Sequence, residues 1–217
     1  MKVLLNKEIK LASSIITWLF LAFALMALIP GYPILVSAFF LGLGLFHSFQ
    51  NWRENNDILY TALLPVRKTD VVKAKFSFVI MIQTAFFVLS LILTVLRMTA
   101  LKNSSVYVTN VMMNANQFYL AAVLIVFAVF NAVFVCGFFK TAYKFAKPFV
   151  TSGILTFVVI AAAEALHHIP GLEFLNKTDT AADLRMWIIL FAAAAVYIAV
   201  TCISIKRSVR LFDQIDL

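Results

Sequence analysis

Charge is scarce in this sequence, and acid is scarcer than base. Of 217 residues only 13% are charged: 18 Lys and Arg against ten Asp and Glu. Cysteine is nearly absent. Cys136 and Cys202 each sit inside an apolar run, where a small packing residue is the ordinary reading, and neither a disulfide framework nor a Cys-based metal site fits two isolated residues. No GxxxxGK[ST] phosphate loop occurs, so the chain lacks that route to ATP. With six Gly and five Pro, it offers few breaks for a loop-rich fold. What fills the space is grease: 63% of the residues are hydrophobic, 22 of them Phe. Soluble domains run at about 45–50% apolar, so the expected solvent is lipid. A net charge of +8 raises nucleic acid as a partner. The basic residues are not gathered on one face, however. They recur between apolar runs, which is the pattern that orients a membrane protein.

Those runs predict an all-α, polytopic membrane protein, a single transmembrane unit over 1–217 with six spans. By sequence they cover about 11–29, 33–52, 76–96, 118–139, 149–166 and 186–205. The first run lacks a small-x-small cleavage site and is long enough to span, so it reads as a retained helix rather than a signal peptide. Before it, residues 1–10 are predicted as an interfacial helix. Pro30-Gly31-Tyr32-Pro33 makes a tight hairpin turn between the first two spans. Gly42 and Gly44 allow a close helix contact in the second. Asn103-Ser104-Ser105 matches a glycosylation sequon, which matters only in a eukaryotic secretory route that nothing else supports.

Alternate loops differ in charge. Fourteen Lys and Arg fall in the N-terminal segment, the 53–75 loop, the 140–147 loop and the tail. Four, Arg97, Lys102, Lys177 and Arg185, fall on the other side. The asymmetry predicts that both termini and the two basic loops face the cytoplasm.

The 53–76 stretch holds eight of the 28 charges. Glu54 to Leu64 contains neither Gly nor Pro, and Pro65 stops it, so a short helix is predicted. Helical spacing puts Glu54, Asp57 and Thr61 on one acidic stripe, with Ile58, Leu59, Ala62, Leu63 and Leu64 around the rest. Thr69 or Asp70 is placed to cap the next helix. Lys73 and Lys75 read as anchors one turn before the bilayer. A solvated loop that only enforces topology would not need the apolar residues at 58–66.

This loop resembles that of type-2 ABC exporter permeases: an acid, then Asn55-Asn56-Asp57-Ile58, then Leu63-Leu64-Pro65-Val66, Lys68, Asp70-Val71-Val72 and Lys75-Phe76. The opening Leu4-Leu5-Asn6-Lys7-Glu8 is also similar to that family, and six spans extend the resemblance to the whole chain. Small members without a large external domain resemble the exporter subunits for phenol-soluble modulins, short amphipathic peptides of staphylococci. The resemblance implies a dimer of permeases, homodimer or heterodimer, on two copies of a separate ATPase in the bacterial plasma membrane. It implies no catalytic residue in this chain, with ATP and Mg bound by the partner. The loop helix would then be the coupling helix that meets the ATPase, through Glu54, Asn55, Asn56, Asp57, Thr61, Leu64, Pro65, Arg67 and Asp70. It implies external helical segments at about 164–183. Glu164, His167 and His168 form a polar rim there; a metal held by the three is the sharper and weaker reading. Two other classes stay open: a secondary transporter, which the lack of ionisable groups near the midplane disfavours, and a non-transporting scaffold or immunity protein.

Overall fold

A computed structural model describes residues 2–63, 65–141, 144–179 and 183–215. Among these every regular element is helical. Helix α1 is Lys2–Lys7, continued by a π turn at Glu8–Ala12. Helix α2 is Ile15–Leu19, continued as a 3-10 helix over Phe20–Leu28. Then come α3 (Val36–Glu54), α4 (Asp57–Ala62), α5 (Lys68–Met98), α6 (Ser105–Val108), α7 (Gln117–Phe139), α8 (Ala146–Leu166) and α9 (Leu184–Asp213).

Four of these, α5, α7, α8 and α9, are long and apolar enough to cross a membrane. The Val3–Lys10 and Ile15–Leu28 pair becomes a fifth if its two arms, bent by 86°, count as one span. Helix α3 has the length, but His47, Gln50, Asn51, Arg53 and Glu54 make its second half polar.

The helices differ from the predicted spans at their ends. Leu11 and Ala12 belong to the leading helix, so the first membrane arm starts at Ile15, not at 11. The break falls at Ser13–Ser14, where the Ser14 hydroxyl accepts from Ile16 N at 3.2 Å and the Ser14 N–H donates to Ser48 Oγ at 3.2 Å. Fourteen residues remain, too few for an α-helical crossing. The 3-10 stretch rises about 2.0 Å per residue against about 1.5 Å in an α-helix, so the arm still extends roughly 25 Å. Helix α5 starts at Lys68, eight residues before the predicted span. Arg67 occupies its N-cap position without a side-chain cap, and Thr69 and Asp70 lie in its first turn rather than capping it. Helix α8 starts at Ala146, with Pro148 in the first turn, where its missing N–H is harmless. Helix α9 runs on through the predicted tail, past Lys206, Arg207 and Arg210. After α8 the chain makes one 3-10 turn, Glu173–Asn176.

Helix α7 is the centre. Of its apolar window 72% is buried, against 33% or less in α5, α8 and α9. It packs against α3, α5, α8 and α9. Phe134 and Phe138 face Phe49 of α3 at 4.8 Å each, and Phe139 faces Phe76 of α5 and Phe212 of α9. Helix α7 passes through a π turn at Phe130–Val135, which aims Asn131 at α5 and α9. There Asn131 Nδ2 donates to Gln83 Oε1 at 3.1 Å and to Thr201 Oγ1 at 3.0 Å, and Tyr197 OH donates to Gln83 Oε1 at 2.9 Å. Amides inside lipid find no water, so this mutual satisfaction is what allows them there.

Gly44 marks the tightest crossing. A Cβ on it would lie 2.6 Å from Phe20 Cβ. The contact is sealed by Thr17 Oγ1, which donates to the Gly44 carbonyl at 2.6 Å and meets Ser48 Oγ at 2.7 Å.

The end of the bundle remote from α4 is closed by Arg97, which is 1% exposed. It donates to Ala27 O at 2.7 Å and to Asn114 Oδ1 at 2.8 Å, and lies 3.7 Å over the Tyr107 ring. Asn114 and Asn116 bond in turn to Leu175, Asn176 and Lys177. The two polar connections therefore clasp each other.

Candidate coupling site

The 54–70 loop folds back on the start of α5. Asn56 makes the turn with φ +51°, a left-handed conformation that Asn tolerates better than most residues. Helix α4 follows at once, and its first residue, Asp57, points inward.

Asp57 is the hub of a four-charge cluster. Its Oδ1 lies 2.6 Å from Lys7 Nζ and its Oδ2 2.7 Å from Lys75 Nζ. Glu8, on the π turn, lies 3.3 Å from Lys75 and 3.5 Å from Lys7. Lys7 also donates to Thr61 Oγ1 at 2.6 Å. The Lys75 ammonium sits 3.7 Å over the Trp52 ring. Two cations and two anions cancel, and the Lys75 side chain is fully buried. Burial alone would raise the Asp57 carboxyl, but Lys75 and Lys7 outweigh it and hold the group below the usual carboxylate range. The four side chains come from α1 and its π turn, α4 and α5. The cluster therefore ties the leading helix and the loop helix to one long span.

The predicted stripe of Glu54, Asp57 and Thr61 does not form. Asp57 and Thr61 turn into the cluster, and Thr61 is 2% exposed. Glu54 stays outside, accepting from Gln50 Nε2 at 2.9 Å. Asn55, Asn56, Pro65 and Arg67 are exposed and Asp70 is half-buried in the first turn of α5. Leu64 lies outside the described residues, as do the side chains of Ile58, Leu59 and Ala62. Lys73 is exposed, while Lys75 is buried and spent on Asp57 and Glu8 rather than serving as an anchor.

Two residues outside the predicted set define the outer face. Tyr60 is 68% and Leu63 82% exposed. Tyr60 is on α4 and Leu63 in the turn just after it. Beside this face Lys68 Nζ donates to Ile215 O at 2.7 Å and to Asp213 O at 3.3 Å, so the end of α9 is pinned to the same loop.

The polar rim also resolves. Glu164 Oε2 accepts from Met113 N at 3.0 Å and meets His167 Nε2 at 3.4 Å. His168 is exposed and stacks on the His167 ring at 4.1 Å instead of facing Glu164. Among the described residues no three His, Cys, Asp or Glu side chains gather to hold a metal.

An all-helical bundle with several membrane-length helices defines a multi-pass membrane protein. The family profile of ABC-2 family transporter proteins matches residues 3–213, and the chain belongs to that family. It is thus a permease subunit of an ABC transporter. Members are transmembrane subunits, generally not catalytic, that pair with an ABC ATPase and typically dimerise. Neither a search of curated proteins nor one of solved structures gave a match.

Proposed function

We propose that the chain is the six-span permease of an ATP-driven exporter in a bacterial plasma membrane, moving an apolar or amphipathic substrate such as a peptide toxin outward. Helix α3 and the bent first arm complete the six spans, both termini face the cytoplasm, and two copies sit on two ATPases. Helix α4 is the coupling helix. It offers Tyr60 and Leu63 to an apolar groove of the ATPase, with Glu54, Asn55, Asn56, Pro65 and Arg67 on the polar rim. ATP and Mg belong to that partner.

The observation that carries this reading is the charge cluster. An exposed loop helix could not move a span unless it were fixed to one. The Asp57–Lys75 contact does that directly, and Lys7 and Glu8 brace it from the leading helix. Closure of the ATPase dimer would push α4, and the push would reach α5 without loss in a flexible joint.

The test is reconstitution. Purified chain in nanodiscs hydrolyses no ATP, and addition of the cognate ABC ATPase gives hydrolysis that the substrate stimulates. Turnover by the chain alone, or an ATPase indifferent to its presence, contradicts the assignment.

A further inference from the structure

We propose that the open groove between α3 and α8 binds a single-chain amphiphile with an anionic head group. The groove has a volume of about 560 Å³ and is apolar throughout. Phe39 of α3 and Phe149, Val150, Gly153, Ile154 and Phe157 of α8 line it. From Phe149 to Ala161 it follows α8 for about 18 Å at 1.5 Å per residue. That is about the length of one extended alkyl chain.

In lipid such a surface selects nothing by itself, because acyl tails are as apolar as the wall. Selection has to come from the end, and the end is built. The Phe149 ring lies 4.2 Å from Phe46, which lies 5.1 Å from Phe145. The Arg53 guanidinium sits 4.7 Å over Phe145. A run of touching rings, Phe149, Phe46 and the buried Phe145, thus ends at a cation. Lys147 lies one turn before Val150, and Lys144 just before α8; both are exposed, as is Arg53. Glu54, the acid next to Arg53, already accepts from Gln50. An alkyl tail along Phe157, Gly153 and Phe149 therefore brings its head to Arg53, Lys144 and Lys147. A carboxylate, sulfate or phosphate head is favoured there and an ammonium head is repelled.

Gly153 gives control over the site. A Cβ on it would meet Phe39 Cε2 at 3.6 Å, an ordinary contact, so Gly153→Ala keeps the groove. Gly153→Leu fills it. This inference names the substrate class of the proposed exporter and rests on that reading for its purpose, but binding needs no ATPase. Loss of one claim therefore leaves the other standing.

The experiment uses the full chain in zwitterionic phosphatidylcholine nanodiscs and a photoactivatable long-chain fatty acid, with labelled peptides mapped by mass spectrometry. Label is expected on α8 and around Phe39. Unlabelled fatty acid should displace it at least tenfold better than an alkyltrimethylammonium of equal length. Gly153→Leu should abolish the label and Gly153→Ala keep it. Lys144→Gln with Lys147→Gln should weaken displacement by about fivefold per charge, the effect of one cation near a membrane surface. Equal displacement by both head groups overturns the proposal. So does labelling that survives Gly153→Leu. A disulfide between two copies of an Ile154→Cys variant in native membranes also overturns it, since a second chain would then cover the groove.

Discussion

Lys75 is the residue on which the loop depends. A buried ammonium is tolerated only because Asp57, Glu8 and the Trp52 ring surround it. Replacing it with Met keeps the bulk and removes the charge, leaving two carboxylates facing one lysine. Breaking a buried pair costs about 3–5 kcal/mol. Lys75→Met should therefore lower the unfolding midpoint in detergent clearly, while Lys73→Met, at an exposed neighbour, should not. Acid should attack the same point. The Asp57 carboxyl is lower folded than unfolded, so its contribution is complete above the ordinary value of 3.8 and is lost as the pH falls through the depressed folded value. Asp57→Asn removes that dependence. The parent should lose more stability than Asp57→Asn between pH 5 and about pH 3 in a detergent melt. Equal losses would show that Asp57 is not held as an ion.

At the scale of elements, α2 and α3 cross where only glycine fits. Gly44→Ala puts a methyl group 2.6 Å from Phe20 Cβ, and both partners are held by the Thr17 hydrogen bonds. Overpacking of this kind costs about 1–3 kcal/mol. Gly44→Ala should lower the melting temperature, while Gly153→Ala, with an ordinary contact, should leave it unchanged. Elements were also where sequence reading succeeded and failed. Apolar runs place α5, α7, α8 and α9, because lipid demands about 20 uncharged residues in a row. The loop helix is shorter than the predicted 54–64: Glu54 closes α3, Asn55 and Asn56 make a turn, and α4 covers only Asp57–Ala62, ending before Pro65 is reached. Helix ends were misplaced wherever a helix leaves the apolar run, as at Lys68 and beyond Ile205, since hydropathy marks the bilayer and not the helix. The break at Ser13–Ser14, the 3-10 arm and the π turn at Asn131 leave no periodic trace. Lys75 and Arg97 read as boundary charges. Their burial depends on Glu8, 67 residues away, and on the Ala27 carbonyl, 70 away, and such pairings are invisible to local spacing.

On the scale of the whole molecule, the account turns on one face of α4. Asp57 and Thr61 join the cluster on the span, while Tyr60 and Leu63 are exposed and are the proposed contacts of the ATPase. Aromatic anchors at an interface are commonly worth 2 kcal/mol or more on truncation, and 1.4 kcal/mol is a factor of ten. The most direct measurement compares the parent with Tyr60→Ala, Leu63→Ala in the same membranes, by pull-down of the cognate ABC ATPase and by substrate-stimulated hydrolysis. The variant should insert and melt like the parent, because both side chains are largely exposed. It should bind the ATPase at least about tenfold more weakly and lose stimulation. A variant that inserts, binds and transports like the parent would show that α4 is not the coupling element.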